Sequence, residues 1–379
     1  GARMAINYFQ GVRDMLAGHS KRSMNITVKW DGAPAVFAGI DPTDGKFFVA
    51  KKGIFNKNPK VYKTAADVDA DTSGDLATKL KASLAAFKDL GIKDVIQGDL
   101  LYTHDTIDHT QIDGEDYITF QPNTIVYAVP ANSKLAKQIL RSKIGVVWHT
   151  IYRGNTFESM KASFGEDISG RLKQTSAVWH TDATFKDVSG AATFTADETK
   201  AVTALLSRAG SLLNTIPAST LNDISDNDEL LIRVKTYNNA KVRAGQKITN
   251  TSAHVTGLMN FIHAYYQKQA DTKKTDKGKQ VQLAKQKEML RYFTSHSKAD
   301  IVKVFDLMNL MVDCKNAVIH KLNMVQSLRT FLRTTDGFRA TTPEGYVAID
   351  HIGNAVKLVD RLEFSRANFS PDIIKGWQK

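Results

Sequence analysis

The chain has one cysteine, Cys314. That excludes an internal disulfide framework and the Cys-rich zinc modules. No run of about 18 uncharged apolar residues occurs, so no membrane-spanning helix is expected. The longest apolar helix candidate, 299–332, is broken by Lys303, Asp306, Asp313, Lys315 and Lys321. The glycine-rich loop Gly-x4-Gly-Lys-Ser/Thr is absent, which argues against a P-loop fold. No secretory leader is expected ahead of the first helix, and the opening Gly1-Ala2-Arg3 fits a tag scar, a trimmed start or a processed precursor alike. A reducing compartment, the cytoplasm, is expected.

What is present is a globular composition. Of 379 residues, 42% are hydrophobic and 24% charged, which excludes dominant disorder. Such a length accommodates about two or three domains. The net charge of +12 favours a polyanionic partner through counterion release and long-range steering.

Hydrophobic spacing divides the chain. Residues 3–17 read as an amphipathic helix, with Ile6, Phe9, Val12 and Leu16 on one face. Asn25–Trp30, Ala35–Ile40 and Lys46–Lys51 read as strands, the last two joined by the turn Asp41-Pro42-Thr43-Asp44-Gly45. A helix is expected over 75–90. Strands are expected at Asp94–Tyr102, Tyr117–Phe120, Thr124–Val129 and Gly145–Tyr152. From about 160 the pattern turns helical, over 197–214, 252–270, 280–293 and 298–333. The charged interval Ala270–Lys279 reads as a mobile linker. Two strands, Glu344–Asp350 and Ala355–Asp360, flank a turn at His351-Ile352-Gly353-Asn354. The expected organisation is a β-rich domain over 1–155 and 337–379, with a mainly helical insertion over 156–336.

The strongest local signal is Val28-Lys29-Trp30-Asp31-Gly32. A lysine at a strand end beside an Asp-Gly turn can face a pocket. A free lysine amine titrates at about 10.4, so it is a nucleophile only where burial or neighbouring cations strip its proton. Taken alone, such a lysine is more often a solvated surface residue.

Further segments follow in an order that resembles the covalent lysyl-nucleotidyltransferases, the ATP-dependent RNA and DNA ligases and the mRNA capping enzymes. Lys29-x-Asp31-Gly32 resembles their motif I. Val49-Ala50-Lys51-Lys52-Gly53 resembles the basic segment after it, and Val95-Ile96-Gln97-Gly98-Asp99-Leu100-Leu101 resembles motif III. Thr124–Val129 with Tyr127 is similar to motif IIIa, Pro343-Glu344-Gly345-Tyr346-Val347 to motif IV, and Val356-Lys357-Leu358-Val359 to motif V. The resemblance covers about 1–155 and 337–370. The chain as a whole also resembles ligase-like proteins of large tailed phages, for which the host cytoplasm or the virion would be the location.

The resemblance implies an α+β adenylyltransferase (ATP-grasp-like ligase) fold, with antiparallel sheets around a nucleotide cleft. It implies that Lys29 attacks the α-phosphate of ATP and holds AMP as a phosphoramidate, with Lys357 neutralising that phosphate and lowering the pKa of Lys29. It places Val28, Trp30, Asp31 and Gly32 at the nucleotide, Lys51 or Lys52 by the sugar or phosphate, Asp99 on the ribose and Tyr127 against the base. Mg2+ is implied, near Glu344 and Asp99. Gly32, Gly53, Gly98 and Gly345 would let backbone approach the nucleotide.

Three features depart from that pattern. Motif III has Asp99 where the family usually has Glu. The second lysine of motif V is replaced by Val359, with Arg361 and Arg366 as substitutes. The residues after motif V are too few for a C-terminal OB domain, which tilts the expectation toward RNA ligases. The expected activity is ATP-dependent ligation, with nucleic acid, RNA rather than DNA, as partner. A capping-type or protein-modifying AMP transferase, and a degenerate ligase fold kept as a nucleic-acid-binding or virion component, remain open.

Outside these motifs, Lys273, Lys274, Lys285, Lys287 and Arg291, beside Tyr292 and Phe293, form a basic stretch suited to phosphates with stacking nearby, or a solvated face. Leu231–Tyr237 with Lys241 and Arg243 is a second basic-aromatic stretch. His104, Asp105, Asp108 and His109 read as a polar surface loop rather than a metal site. Met308, Met311 and Met324 read as core, and His254 and His263 as structural.

Overall fold

A computed structural model describes residues 2–18, 25–183, 194–323, 328–349 and 355–378. The chain is a mixed α+β protein that forms two compact units.

The β-rich unit comprises 22–192, 322–359 and 370–379. Its first sheet joins β1 (Asn25–Lys29), β13 (Gly345–Ile349) and β14 (Ala355–Leu358), all antiparallel. Its second has the order β10 (Val178–Asp182), β8 (Ile144–Arg153), β4 (Val95–Thr103), β2 (Ala35–Ile40) and β3 (Phe47–Ala50), with β9 (Lys161–Phe164) beside β8. One pair departs from the expected antiparallel pattern, since β10 runs parallel to β8. The third sheet has the order β12 (Gly337–Ala340), β11 (Arg329–Thr334), β7 (Ile125–Pro130), β6 (Glu115–Phe120) and β5 (Ile107–Ile112).

The second sheet is buried on both faces, which is why β2 reads as a continuous apolar run. On one face Val36, Ala38, Ile96, Leu100 and Trp148 pack with Leu80 and Phe87 of α3 (Gly74–Phe87). On the other, Phe37, Phe48, Ile54 and Val95 form a separate cluster. Two more helices, α2 (Ala65–Asp71) and α4 (Lys134–Arg141), belong to this unit. Thr64 caps α2 and Ser133 caps α4 with their side-chain oxygens.

The helical unit comprises 1–21, 193–321 and 360–369. Its helices are α1 (Ala2–Leu16), α5 (Ala196–Leu213), α6 (Ala218–Ser225), α7 (Asp228–Arg243), α8 (Thr251–Asp271), α9 (Asp276–Ser295), α10 (Lys298–Asn323) and α11 (Arg361–Phe369). Leu230, Val255, Leu258, Ile262, Tyr266, Met289 and Phe305 form its core. The first helix groups with this unit and not with the β-rich one, so the expected boundary at 1–155 does not describe the compact units.

Several expectations are corrected. The helical reading of 298–333 runs too far: α10 ends at Asn323 and Arg329–Thr334 is a strand paired with β7. Thr330, Phe331 and Thr334 favour that extended state, and the open edge of β7 decides it. The interval Ala270–Lys279 is not a linker. It is the end of α8 and the start of α9, with the Thr275 hydroxyl accepting from the Gly278 N–H at 3.1 Å. The loop expected at 104–109 becomes β5 from Ile107, and Leu231–Tyr237 lies within α7. The turn His351–Asn354, Asp350 and Met324 lie outside the described residues.

Candidate functional site

Lys29 ends β1, where it pairs across the ladder with Gly345 of β13. Glu344 is the residue just before that strand. The register therefore brings Lys29 and Glu344 together, and the amine forms an ion pair with the Glu344 carboxylate. The Lys29 side chain is 28% exposed and that of Glu344 12%, so the pair is sheltered yet reachable. Gly345 has φ +149°, and a Cβ there would lie 2.3 Å from the Leu358 carbonyl oxygen of β14. A side chain at 345 would push β14 away from the strand that carries this pair.

Beyond Lys29 the chain leaves the first sheet for the second. Gly32 makes this crossing tight: a Cβ on it would lie 2.6 Å from the Asp99 Cβ and 2.9 Å from the Leu100 carbonyl oxygen. The crossing is laced to β4 by Ala33 N–H donating to Leu100 O (2.9 Å) and Leu100 N–H donating to Pro34 O (3.1 Å). The Asp-Gly turn thus sets Asp99 beside the segment that bears Lys29.

Asp31 is buried and caged. Its carboxylate accepts from Asn123 Nδ2 (2.6 Å) and from the backbone N–H groups of Thr124 (2.7 Å) and Ile125 (2.8 Å). Its own N–H donates to the Tyr127 hydroxyl oxygen at 2.7 Å. Burial pushes the Asp31 carboxyl above the usual range, against those hydrogen bonds and the charge of Lys29. Asp31 is therefore engaged by protein on both oxygens, and these contacts fix the turn after Lys29.

Glu344 is strongly perturbed. Burial pushes its carboxyl up to about 7, Lys29 opposes the shift, and the charges of Asp31 and Asp99 add to it. Three carboxylates and one lysine thus share a single electrostatic environment, although they come from separate stretches of sequence. Tyr127 is also coupled to this group. Burial raises its phenol well above the ordinary value, and the charges of Asp31, Glu344 and Asp99 add to that.

Other expected members fall elsewhere. Tyr127 is fully buried, with its ring against Phe120 at 5.5 Å and Trp30 at 5.1 Å between centroids. Packing covers its faces, so it holds the Asp31-Gly32 turn and does not present a ring to a base. Lys51 is ion-paired with Asp71 at 2.8 Å, and Asp71 also takes Lys60 and the Tyr62 hydroxyl. These donors hold the Asp71 carboxyl well below the usual range, so Lys51 is anchored to α2 and not turned to a sugar. Lys52 is exposed. Val28 spends its N–H on the Ala183 carbonyl oxygen at 2.6 Å. Trp30 keeps a buried indole N–H with no hydrogen-bond partner among the described residues. Lys357 lies on β14 opposite Val347, which itself faces Thr27. By strand alternation Lys357 is on the same face of the first sheet as Lys29, but its side chain is exposed.

Two neighbours were not legible in the sequence. His149 of β8 lies with Nε2 3.6 Å from Asp99 Oδ2. Lys375, buried near the chain's end, feels the charge of Asp31, while burial pushes the pKa of its amine down. The segment around it is pinned to the turn that cages Asp31, with Gly376 N–H donating to Asn123 O at 2.7 Å. No sequence spacing links either residue to Lys29.

In the helical unit Lys273, Lys274, Lys287 and Arg291 are exposed, whereas Lys285 is engaged by Glu229 at 3.3 Å. Tyr292 is buried and donates its hydroxyl to Thr220 O at 2.9 Å, and Phe293 packs on the core. The basic stretch therefore has no stacking platform from these two rings.

Sheet architecture and site together define a mixed α+β chain with a lysine–carboxylate cluster in its β-rich unit. The chain belongs to a family of unknown function, DUF6267, whose model matches residues 1–372. No curated protein matches the chain, and no solved structure matches it.

Proposed function

We propose that the chain is an ATP-dependent nucleotidyltransferase, an RNA ligase-like enzyme that forms a lysyl-AMP on Lys29 and passes AMP to a 5′-phosphate end before sealing. The observation that carries this reading is the contact of Lys29 with Glu344 beside Asp31 and Asp99, which joins three of the segments that resemble motifs I, III and IV. The adjacency of β1, β13 and β14, which bear the stretches resembling motifs I, IV and V, supports it.

The residues define the steps. The Lys29 amine must lose a proton before its lone pair can attack phosphorus. Glu344, in contact with it and titrating at about 7, is the acceptor within reach. The amine then bonds to the α-phosphorus, and the bond to pyrophosphate breaks. Asp31, caged and buried, keeps the turn after Lys29 in place while that happens. Phosphoryl transfer is mainly positioning and charge neutralisation, and a fixed strand end supplies the first.

The donor set fits Mg2+. Asp99 and Glu344 offer hard carboxylate oxygens, both partly accessible, and the charges of Asp31 and Asp99, which add to the burial that raises the Glu344 carboxyl, are ones a cation would relieve. Bound there, the ion would neutralise charge on the transferring phosphate.

Incubation with α-labelled ATP and Mg2+, followed by denaturing electrophoresis, tests the proposal. Label is expected on the wild type and absent from Lys29→Ala. Label from GTP instead would favour a capping-type enzyme. A second reading, a non-catalytic nucleic-acid-binding relative, is favoured by the exposed Lys357 and by Val359 in place of a second lysine. No label on folded protein with either nucleotide would select it and overturn the first.

A further inference from the structure

We infer that His149 and Asp99 together form a hydroxyl-reading pair, which makes the site selective for a ribonucleotide over its deoxy counterparts. This rests on the nucleotide reading above and names a specificity residue that the motifs do not contain.

Along β8, Thr150 opposes Gln97 of β4 and Trp148 opposes Gly98, so His149 is an extra residue with no partner across the ladder. Such a bulge re-aims a side chain and interrupts pairing, and bulges gather beside functional sites. Here Trp148 and Thr150 are fully buried, while the His149 side chain is 27% exposed. The irregularity turns one polar ring out of an otherwise buried strand, next to Asp99.

The Asp99 carboxylate facing Nε2 favours the ring proton on that atom. The buried Thr150 hydroxyl, 2.7 Å from His149 Nδ1, can donate to the other nitrogen and so is compatible with that tautomer. The result is a donor on one strand and an acceptor on the next, 3.6 Å apart. That is too long for a good hydrogen bond between them. It does suit a shared guest: one oxygen about 2.8 Å from each atom fits over this gap. A sugar hydroxyl both accepts and donates, so it would accept a hydrogen bond from the Nε2 N–H and donate one to the carboxylate. Asp99 is fixed on its other side by Gly32, whose lack of a side chain lets the Asp99 Cβ pack close. The imidazole thus makes up for the reach lost where Asp stands in place of Glu.

The test compares ATP with 2′-deoxy-ATP and 3′-deoxy-ATP in lysine labelling by wild type, His149→Ala and His149→Gln. Equilibrium binding of the same three nucleotides to Lys29→Ala protein provides a readout independent of the chemistry. Wild type should prefer ATP over one deoxy analogue by about tenfold or more, as expected for losing a charge-assisted hydrogen bond. His149→Ala should raise KM for ATP about tenfold with kcat little changed, and should erase the preference. His149→Gln, which keeps a donor, should restore part of it. Labelled wild type with no preference, or an unchanged preference in both variants, overturns the inference and leaves the nucleotidyltransferase reading standing. Unlabelled wild type that binds none of the three nucleotides removes both. Should His149→Ala not fold, the wild-type preference and His149→Gln still decide.

Discussion

At the scale of single residues, two buried carboxyls, both held above the usual carboxylate range by burial, contribute to stability by different means. Glu344 holds its proton up to about 7, against 4.5 for an ordinary glutamate, chiefly because it is buried. The folded state therefore binds this proton more tightly than the unfolded chain. The stability it contributes is present below about pH 4.5 and is lost as the pH rises through about 7. Replacing it by an uncharged isostere removes that dependence. Urea unfolding of wild type and Glu344→Gln from pH 5 to 8.5 should show wild type losing ground by a few kcal/mol, about 3 at most. Parallel curves would mean that Glu344 is not strained by burial. Asp31 behaves differently, because its value lies in the three donors it satisfies. Asp31→Ala leaves Asn123, Thr124 and Ile125 without their acceptor and should cost about 2–4 kcal/mol in unfolding free energy. Asp31→Asn keeps an acceptor oxygen for the two backbone N–H groups and should cost distinctly less. Equal losses would show that the cage needs the charge and not the acceptor.

At the scale of elements, the crossing from β1 to β2 is where local sequence and tertiary contact meet. Gly32→Ala would drive a methyl into Asp99 and Leu100, so the crossing must lift off β4. Labelling should fall at least about tenfold with a stability loss of about 1–3 kcal/mol. Gly210→Ala, in the interior of α5 with open space around it, should instead stabilise by about 0.5–1 kcal/mol and leave labelling alone. Thermal melts with the labelling assay separate the two. These elements also show what the sequence made legible. Strands β1, β2, β4, β7, β8 and β13 were readable because buried β-branched and aromatic residues bounded by turn residues leave a local signature. The Lys29–Glu344 meeting was legible only through a family pattern, since more than three hundred positions separate them and nothing local records a ladder register. His149 was not legible at all: a bulge is a property of two paired strands, and one strand's sequence does not carry it. Tyr127 misled because an aromatic on a strand looks the same whether it awaits a base or packs on Phe120 and Trp30. The charged stretch 270–279 misled because capping by Thr275, not apolar periodicity, starts α9.

At the scale of the whole molecule, charge is divided unevenly. Most of the surplus of Lys and Arg over Asp and Glu falls in the helical segments 1–21, 193–321 and 360–369, while the lysine–carboxylate cluster belongs to the β-rich unit. The proposed ligation needs both a reaction centre and a hold on a long polyanion, and long-range attraction does not require the second to be built from the first. The exposed cations Lys273, Lys274, Lys287 and Arg291 are candidates for that hold, and with Tyr292 and Phe293 committed to the helical core they would act on phosphates and not on bases. Binding through them should therefore be insensitive to sequence and strongly weakened by salt. Replacing all four by glutamine should lower affinity for single-stranded RNA uniformly across sequences. It should also reduce the slope of log affinity against log salt by up to about 3, at about 0.7 for each single-strand phosphate that is no longer neutralised. Fluorescence anisotropy at several salt concentrations measures both quantities. Self-labelling by ATP should survive the change, because Lys29, Glu344, Asp99 and Asp31 are untouched. An unchanged salt slope would remove this face as the nucleic-acid contact, whereas a fall in labelling along with binding would mean that these cations serve the reaction centre itself.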